Sequence, residues 1–197
     1  VLNTLDCLDE EERLIEGVLP IARAMQAHTA LARLNHLHGN IYFPRGDYAE
    51  CRRLHEEALS FARIGRDLET EAKALSGIGD SYYAQGRMQT AYEVFDQCVR
   101  LCERNGLAHV EAGNRSARGS AQLYLGQPEL ALRDAMEAIE CSARLGNHRA
   151  QVFSRLTAAW VLVAGGRDAL AEQELTCALA LARNLGASRF EAILLEG

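Results

Sequence analysis

Three groups of residues in this 197-residue chain have types and spacings that invite chemistry. The first is His36-Leu37-His38 with His55, imidazoles of the kind that ligate metals. Residues two apart on a helix point in different directions, so His36 and His38 do not easily share one ion. A core or groove role is the expectation for these histidines. The second group is Arg115 and Arg118, three apart, with Arg155 further along. Guanidinium groups so spaced can clamp a carboxylate or phosphate; the competing reading is ordinary ion pairs to acids such as Glu111 and Glu71. The third is six cysteines, Cys7, Cys51, Cys98, Cys102, Cys141 and Cys177, with no CxxC pair among them. They are expected to be reduced, buried and small, although Cys98 and Cys102 lie four apart on one helix face, where a thiol pair could form.

Catalytic signatures are missing. A phosphate-binding loop of the GxxxxGK[ST] kind needs a lysine after glycine, and the single lysine, Lys73, lies in Glu71-Ala72-Lys73-Ala74. Neither Gly-x-Ser-x-Gly nor His-Glu-x-x-His occurs. No catalytic residue, metal or cofactor is therefore expected. A net charge of -6 argues against nucleic acid, which calls for a basic stripe. No apolar run approaches the roughly 20 residues that span a membrane, and no signal peptide is recognisable, so a cytoplasmic protein is expected. All basic residues but Lys73 are arginine, a bias that suits a GC-rich genome. The chain opens at Val1 and ends at Gly197 inside what reads as a new helix, as a piece cut from a longer protein would.

What must position these residues is a repeat. Gly46, Gly86, Gly126 and Gly166 fall on a strict period of 40, and so do Cys51, Ala91, Ala131 and Ala171. A fixed period of this size predicts stacked supersecondary units, each contacting mainly its neighbours. Each unit reads as two helices. The first run over about 28–44, 68–84, 108–124 and 148–164, and the second over about 47–64, 87–104, 127–144 and 167–184. The turn glycines supply left-handed backbone between them, and Gly65, Gly106, Gly146 and Gly186 mark the joints, the first one residue early. Asp47 with Glu50 suits a helix cap, and Pro128 suits a first helical turn. Residues 1–27 read as the second helix of a preceding repeat, with Leu14, Val18 and Ile21 matching Leu54, Ala58 and Phe61. Its acidic opening, Asp9-Glu10-Glu11-Glu12, favours the positive end of the helix dipole, with a partner-binding patch as the sharper alternative. Repeats follow at 28–66, 67–106, 107–146 and 147–186, and 187–197 begins a further one capped by Ser188 and Glu191. Gly39, Gly79, Gly119 and Ala159 are small so that the paired helix can approach, opposite Cys51, Ala91, Ala131 and Ala171. Ala58, Cys98, Ala138 and Ala178 serve the same packing one or two turns on, while Phe61, Leu101, Cys141 and Leu181 pack between units.

These residues resemble the tetratricopeptide repeat family: a small residue, an aromatic three on, then alanines in the second helix. Gly39/Tyr42/Cys51/Ala58 and Gly79/Tyr82/Ala91/Cys98 match it, and Gly119/Gln122/Ala131/Ala138 and Ala159/Leu162/Ala171/Ala178 match with the aromatic lost. The resemblance covers about 28–186 and implies an all-α solenoid of helical hairpins, wound as a right-handed superhelix. The period is 40 rather than 34, and the usual closing proline is absent. Forty-residue versions are similar to the arrays of large bacterial ATP-dependent transcription activators and cyclase-linked proteins, and to animal scaffolds that organise G-protein regulators. The stretch Leu31 to Phe43, followed by Gly79-Asp80-Ser81-Tyr82-Tyr83 and Gly86-Arg87-Met88, most resembles the cyclase-linked arrays.

The family binds partners on a groove lined by first helices. Carried across, those places are Asn40, Phe43, Lys73, Asp80, Tyr83, Ser120, Tyr124, Trp160 and Val163. Asn or Asp there can hold an extended peptide backbone, and the aromatics add apolar contact. The resemblance thus implies a non-catalytic interaction or sensing module of a larger bacterial signalling protein, binding a protein or peptide. The alternative is a spacer or self-association surface that packs against other domains of its own chain.

Overall fold

A strict 40-residue spacing of small residues builds helical hairpins because each small residue lets two helix backbones close up. The computed structural model describes residues 8–186, and every regular element among them is an α-helix. In chain order these are α1 (Leu8–Ala24), α2 (His28–Tyr42), α3 (Tyr48–Gly65), α4 (Leu68–Ala84), α5 (Met88–Asn105), α6 (Ala108–Tyr124), α7 (Pro128–Arg144), α8 (His148–Ala164) and α9 (Asp168–Asn184). The further repeat expected at 187–197, with its cap at Ser188 and Glu191, lies outside the described residues. The architecture is an all-α repeat of helical hairpins. It divides into two compact units, one up to Leu101 and one from Cys102.

Each hairpin turn closes the same way. Gly46, Gly86, Gly126 and Gly166 have φ between 66° and 77°, the left-handed region where a side chain is disfavoured. Around Gly46 the Asp47 N–H reaches the Tyr42 carbonyl at 3.2 Å and the Gly46 N–H reaches the Phe43 carbonyl at 3.0 Å, the paired bonds of a Schellman motif. The Asp47 carboxylate then accepts from the Glu50 N–H at 3.0 Å and caps α3. Asp67 and Asn147 cap α4 and α8 likewise, and Pro128 opens α7.

One joint differs from the sequence reading. Gly65 is the last helical residue of α3, and the left-handed position falls on Arg66, with φ 54°. The period of 40 sets the geometry: residue 66 stands where Gly106 and Gly146 stand, and the backbone adopts their conformation although the residue is arginine. Gly65 is small for a different reason, since a Cβ there would lie 2.9 Å from the Thr29 hydroxyl.

In the first unit, Leu8, Ile15, Leu19 and Ala22 of α1 bury against Leu31 and Ile41 of α2, with Phe61 packed beside them. In the second, Ala135 and Ile139 of α7 meet Ala158 of α8, while Val152 and Leu156 of α8 meet Ala178 and Ala182 of α9. Cys51, Ala58, Ala91, Cys98, Ala131, Ala138, Ala171 and Ala178 are all at most 2% exposed, so the repeated small places are the helix contacts. Cys51, Cys98 and Cys102 are buried and unbridged; Cys177 is exposed.

Candidate functional site

In the first unit, α2 and α4 carry the polar residues expected to meet a partner, and a histidine core holds them in place. His55 of α3 is 1% exposed. A Cβ at Gly39 would come within 2.8 Å of its ring, and one at Gly77 within 2.2 Å, so two glycines on neighbouring helices leave the space this imidazole fills. Its neighbour His36 lies 5.2 Å away, ring centre to ring centre. Burial, with the charge of His36 second, pushes His55 down to about 3. Burial, with the charge of Lys73 second, pushes His36 down to about 4. Both rings are therefore neutral near pH 7, and the expectation of core or groove histidines describes them well. The next unit place repeats the device with another ring: a Cβ at Gly79 would lie 2.4 Å from Phe95.

On the surface of this core, Asn40 is exposed and its amide nitrogen lies 3.4 Å from His36 Nε2. Lys73 reaches back to Glu69 at 2.6 Å. Phe43 is exposed just past the end of α2 with its ring against Tyr48, and Tyr83 is half-buried. Asp80 is the unusual member. It is half-buried, its side chain accepts no hydrogen bond and forms no ion pair among the described residues, and burial alone pushes its carboxyl up to about 7. A carboxylate in such a place is costly to hold ionised unless a donor or cation arrives.

The second unit presents a different surface. Tyr124, Trp160 and Val163 are exposed, Trp160 by 40%. Ser120 departs from the groove expectation: it is buried, its hydroxyl lying 3.0 Å from Thr157 Oγ1 and donating to the Ser116 carbonyl at 3.2 Å. A buried hydroxyl whose proton is given to the Ser116 carbonyl has no donor left for a ligand.

Arg115, Arg118 and Arg155 of this unit are likewise turned inward. Arg118 grips Asp134 with two bonds of 2.6 and 2.7 Å, and Asp134 is fully buried. Arg115 touches Glu111, Glu103 and Glu137 at 2.8, 2.6 and 2.6 Å, and burial works against its charge while these acids raise its affinity for the proton. Arg155 binds Glu174. All three guanidinium groups are matched by carboxylates within the unit, so the geometry is that of structural ion pairs rather than an anion clamp; Glu71 pairs instead with Arg63.

Sequence reading missed the network that ties α1 to α2. Tyr42 donates to Glu12 at 2.6 Å, and Arg45 bridges Glu12 at 2.8 Å and Asp9 at 2.6 Å. The Tyr42 hydrogen bond is the largest cause holding Glu12 below the usual carboxylate range, and the same bond pushes Tyr42 up to about 12. Two members of the acidic opening are thereby consumed in the fold. The Tyr42 hydroxyl could not announce this bond, because its partner lies 30 residues upstream.

A family model described as tetratricopeptide repeat matches residues 30–109. Among solved structures, the apo form of RapI superposes with a TM-score of 0.76 at 12% identity, over 90% of this chain and 66% of that one; this chain therefore spans about two thirds of RapI's length. BtubC (BKLC) from P. vanneervenii matches at 0.68 and 17% identity, over 96% of this chain and 88% of that one. A variant of a Podosopora anserina putative kinesin light chain with nearly identical TPR-like repeats matches at 0.67 and 18%, over 92% and 89%. At these identities the likeness is one of fold.

Proposed function

The chain carries tetratricopeptide repeats, and on that premise we propose that it is a non-catalytic interaction module that holds a protein or peptide segment against its first helices. The observation that carries this reading is Asp80, a half-buried carboxylate with no partner among the described residues, on the helix beside the one bearing the exposed Asn40. An extended peptide brings backbone N–H groups that an Asp or Asn can accept from, and an amide can also donate to its carbonyls. Phe43, just past the end of α2, and Tyr83, on α4, add aromatic area to the same unit. We place the module in the cytoplasm within a larger bacterial signalling protein, nucleotide cyclase or ATP-dependent activator, whose output chemistry resides elsewhere. The similarity of the Leu31–Phe43 stretch to cyclase-linked arrays and the arginine bias support that placement. The net charge of -6 favours a protein over nucleic acid as partner.

A spacer or self-association role is the second reading, and the exposed Tyr124, Trp160 and Val163 of the second unit favour it, because apolar surface of this kind suits packing against another domain. The two readings part in one experiment. The chain and its Asn40→Ala/Asp80→Ala variant, matched for folding by circular dichroism, are used as baits in lysate of the source organism, and a retained protein is then titrated by calorimetry. Interaction through the first unit predicts a partner whose affinity falls about tenfold or more in the variant, the effect of losing hydrogen bonds at a desolvated contact. Equal retention by both baits would count against the reading and leave the spacer role.

A further inference from the structure

Glu12 and Glu16 lie one turn apart on the same face of α1, and His38 of α2 stands across from them. A carboxylate oxygen of each acid and a ring nitrogen of His38 lie within 4.8 Å of one another. Acidic clusters alone mean little; the histidine makes this one different. His38 is 8% exposed; its Nδ1 makes no hydrogen bond among the described residues, and its Nε2 has Glu12 alone as a distant partner. Its Nε2 faces Glu12 Oε1 at 3.5 Å, beyond a good hydrogen bond. A buried imidazole ordinarily makes at least one well-formed hydrogen bond, because a nitrogen left without one costs its desolvation.

The remaining groups are arranged as support for a ligand set. Tyr42 and Arg45 fix the Glu12 carboxylate from both oxygens, the role that outer partners play around a metal ligand. Among the described residues Arg45 is the one guanidinium bonded into the cluster, and it is shared with Asp9, so three carboxylates, counting Glu16, outweigh a single cation. Glu16 is exposed and joins no ion pair among the described residues, which leaves it able to swing onto an ion. One imidazole with two carboxylates suits zinc, cobalt or nickel, whereas magnesium and calcium prefer oxygen alone.

We propose that Glu12, Glu16 and His38 form a binding site for a divalent transition metal that clips α1 to α2. Three protein ligands leave a coordination place for water or a partner's side chain. The same-helix spacing of His36 and His38 concealed the site, since its other ligands come from the preceding helix.

The test uses the whole untagged chain, stripped with chelator and titrated with Co²⁺ under visible absorption and calorimetry, beside His38→Gln and Glu16→Gln. The expected result is one saturable equivalent with no thiolate-to-cobalt band, weakened about tenfold or more in each variant. A matching rise in melting temperature with Zn²⁺ is expected in the parent chain and lost in Glu16→Gln, whose exposed side chain leaves folding intact. Unchanged affinity in Glu16→Gln, a thiolate band that assigns the ion to cysteine, or several weak equivalents abolished by salt would each overturn the proposal.

Discussion

Replacing Asp80 by Asn should stabilise the protein at neutral and higher pH and leave it nearly unchanged in acid. The Asp80 carboxyl is pushed up by burial from its ordinary 3.8 to about 7. Below about pH 4 both folded and unfolded chains carry the proton, so the two states respond alike. Between about 4 and 7 the folded chain binds more protons than the unfolded one, and stability falls as pH rises. Above 7 the full penalty of an ionised, half-buried carboxylate remains. A displacement of roughly three pH units corresponds to an upper bound of about 4 kcal/mol. The side chain keeps some contact with solvent, which relieves much of that, so about 1–2 kcal/mol is expected from the amide in its place. His36 and His55 act in the opposite sense: held neutral near 4 and 3 against an ordinary 6.5, they remove stability as pH falls through 6.5. The parent chain alone therefore shows a blend, and the difference between Asp80→Asn and parent isolates the carboxylate. Urea unfolding followed by circular dichroism, with amide exchange over α4, measures it at about pH 4 and pH 8. A difference that does not change with pH, or an Asn variant less stable at pH 8, would refute the desolvated-carboxylate argument.

Gly79→Ala should cost about 1–3 kcal/mol by urea denaturation, because its methyl would lie 2.4 Å from the buried Phe95 ring, and Phe95→Leu in the same chain should recover part of the loss. Arg66→Gly should raise the melting temperature, with a gain of up to about 1 kcal/mol, since a left-handed backbone is disfavoured for arginine and natural for glycine. Asp134→Ala should be severe, about 3–5 kcal/mol, because it removes the buried carboxylate that the Arg118 guanidinium grips, yet Asp134→Leu with Arg118→Met should unfold close to the parent; a double variant as weak as the single one would disprove that account.

Helix positions were largely legible because turn chemistry is local. Gly46 and Asp47 declare a turn and a cap by their own side chains, and the structure closes both within six residues. Gly65 misled because local chemistry favours glycine at a left-handed place, whereas the unit's spacing put that place on Arg66. Groove residues were less legible. Asp80 and Ser120 occupy the same repeat position, yet one is half-buried without a partner among the described residues and the other is closed between Ser116 and Thr157. The repeat position alone does not separate the two; for Ser120 it is Thr157, on α8, that closes the place.

Period, residue size and capping act over a turn or two of chain, so the residues alone mark the helices between 28 and 184 and the small places at their contacts. Which charges are spent and which are left over depends on how the helices pack. Arg115 and Arg118 look like a clamp until Asp134 closes on them, and His38 looks like a core residue until Glu12 and Glu16 stand opposite. Electrostatic pairing depends on distances of a few ångströms between residues tens of positions apart, and those distances exist only once the helices have packed.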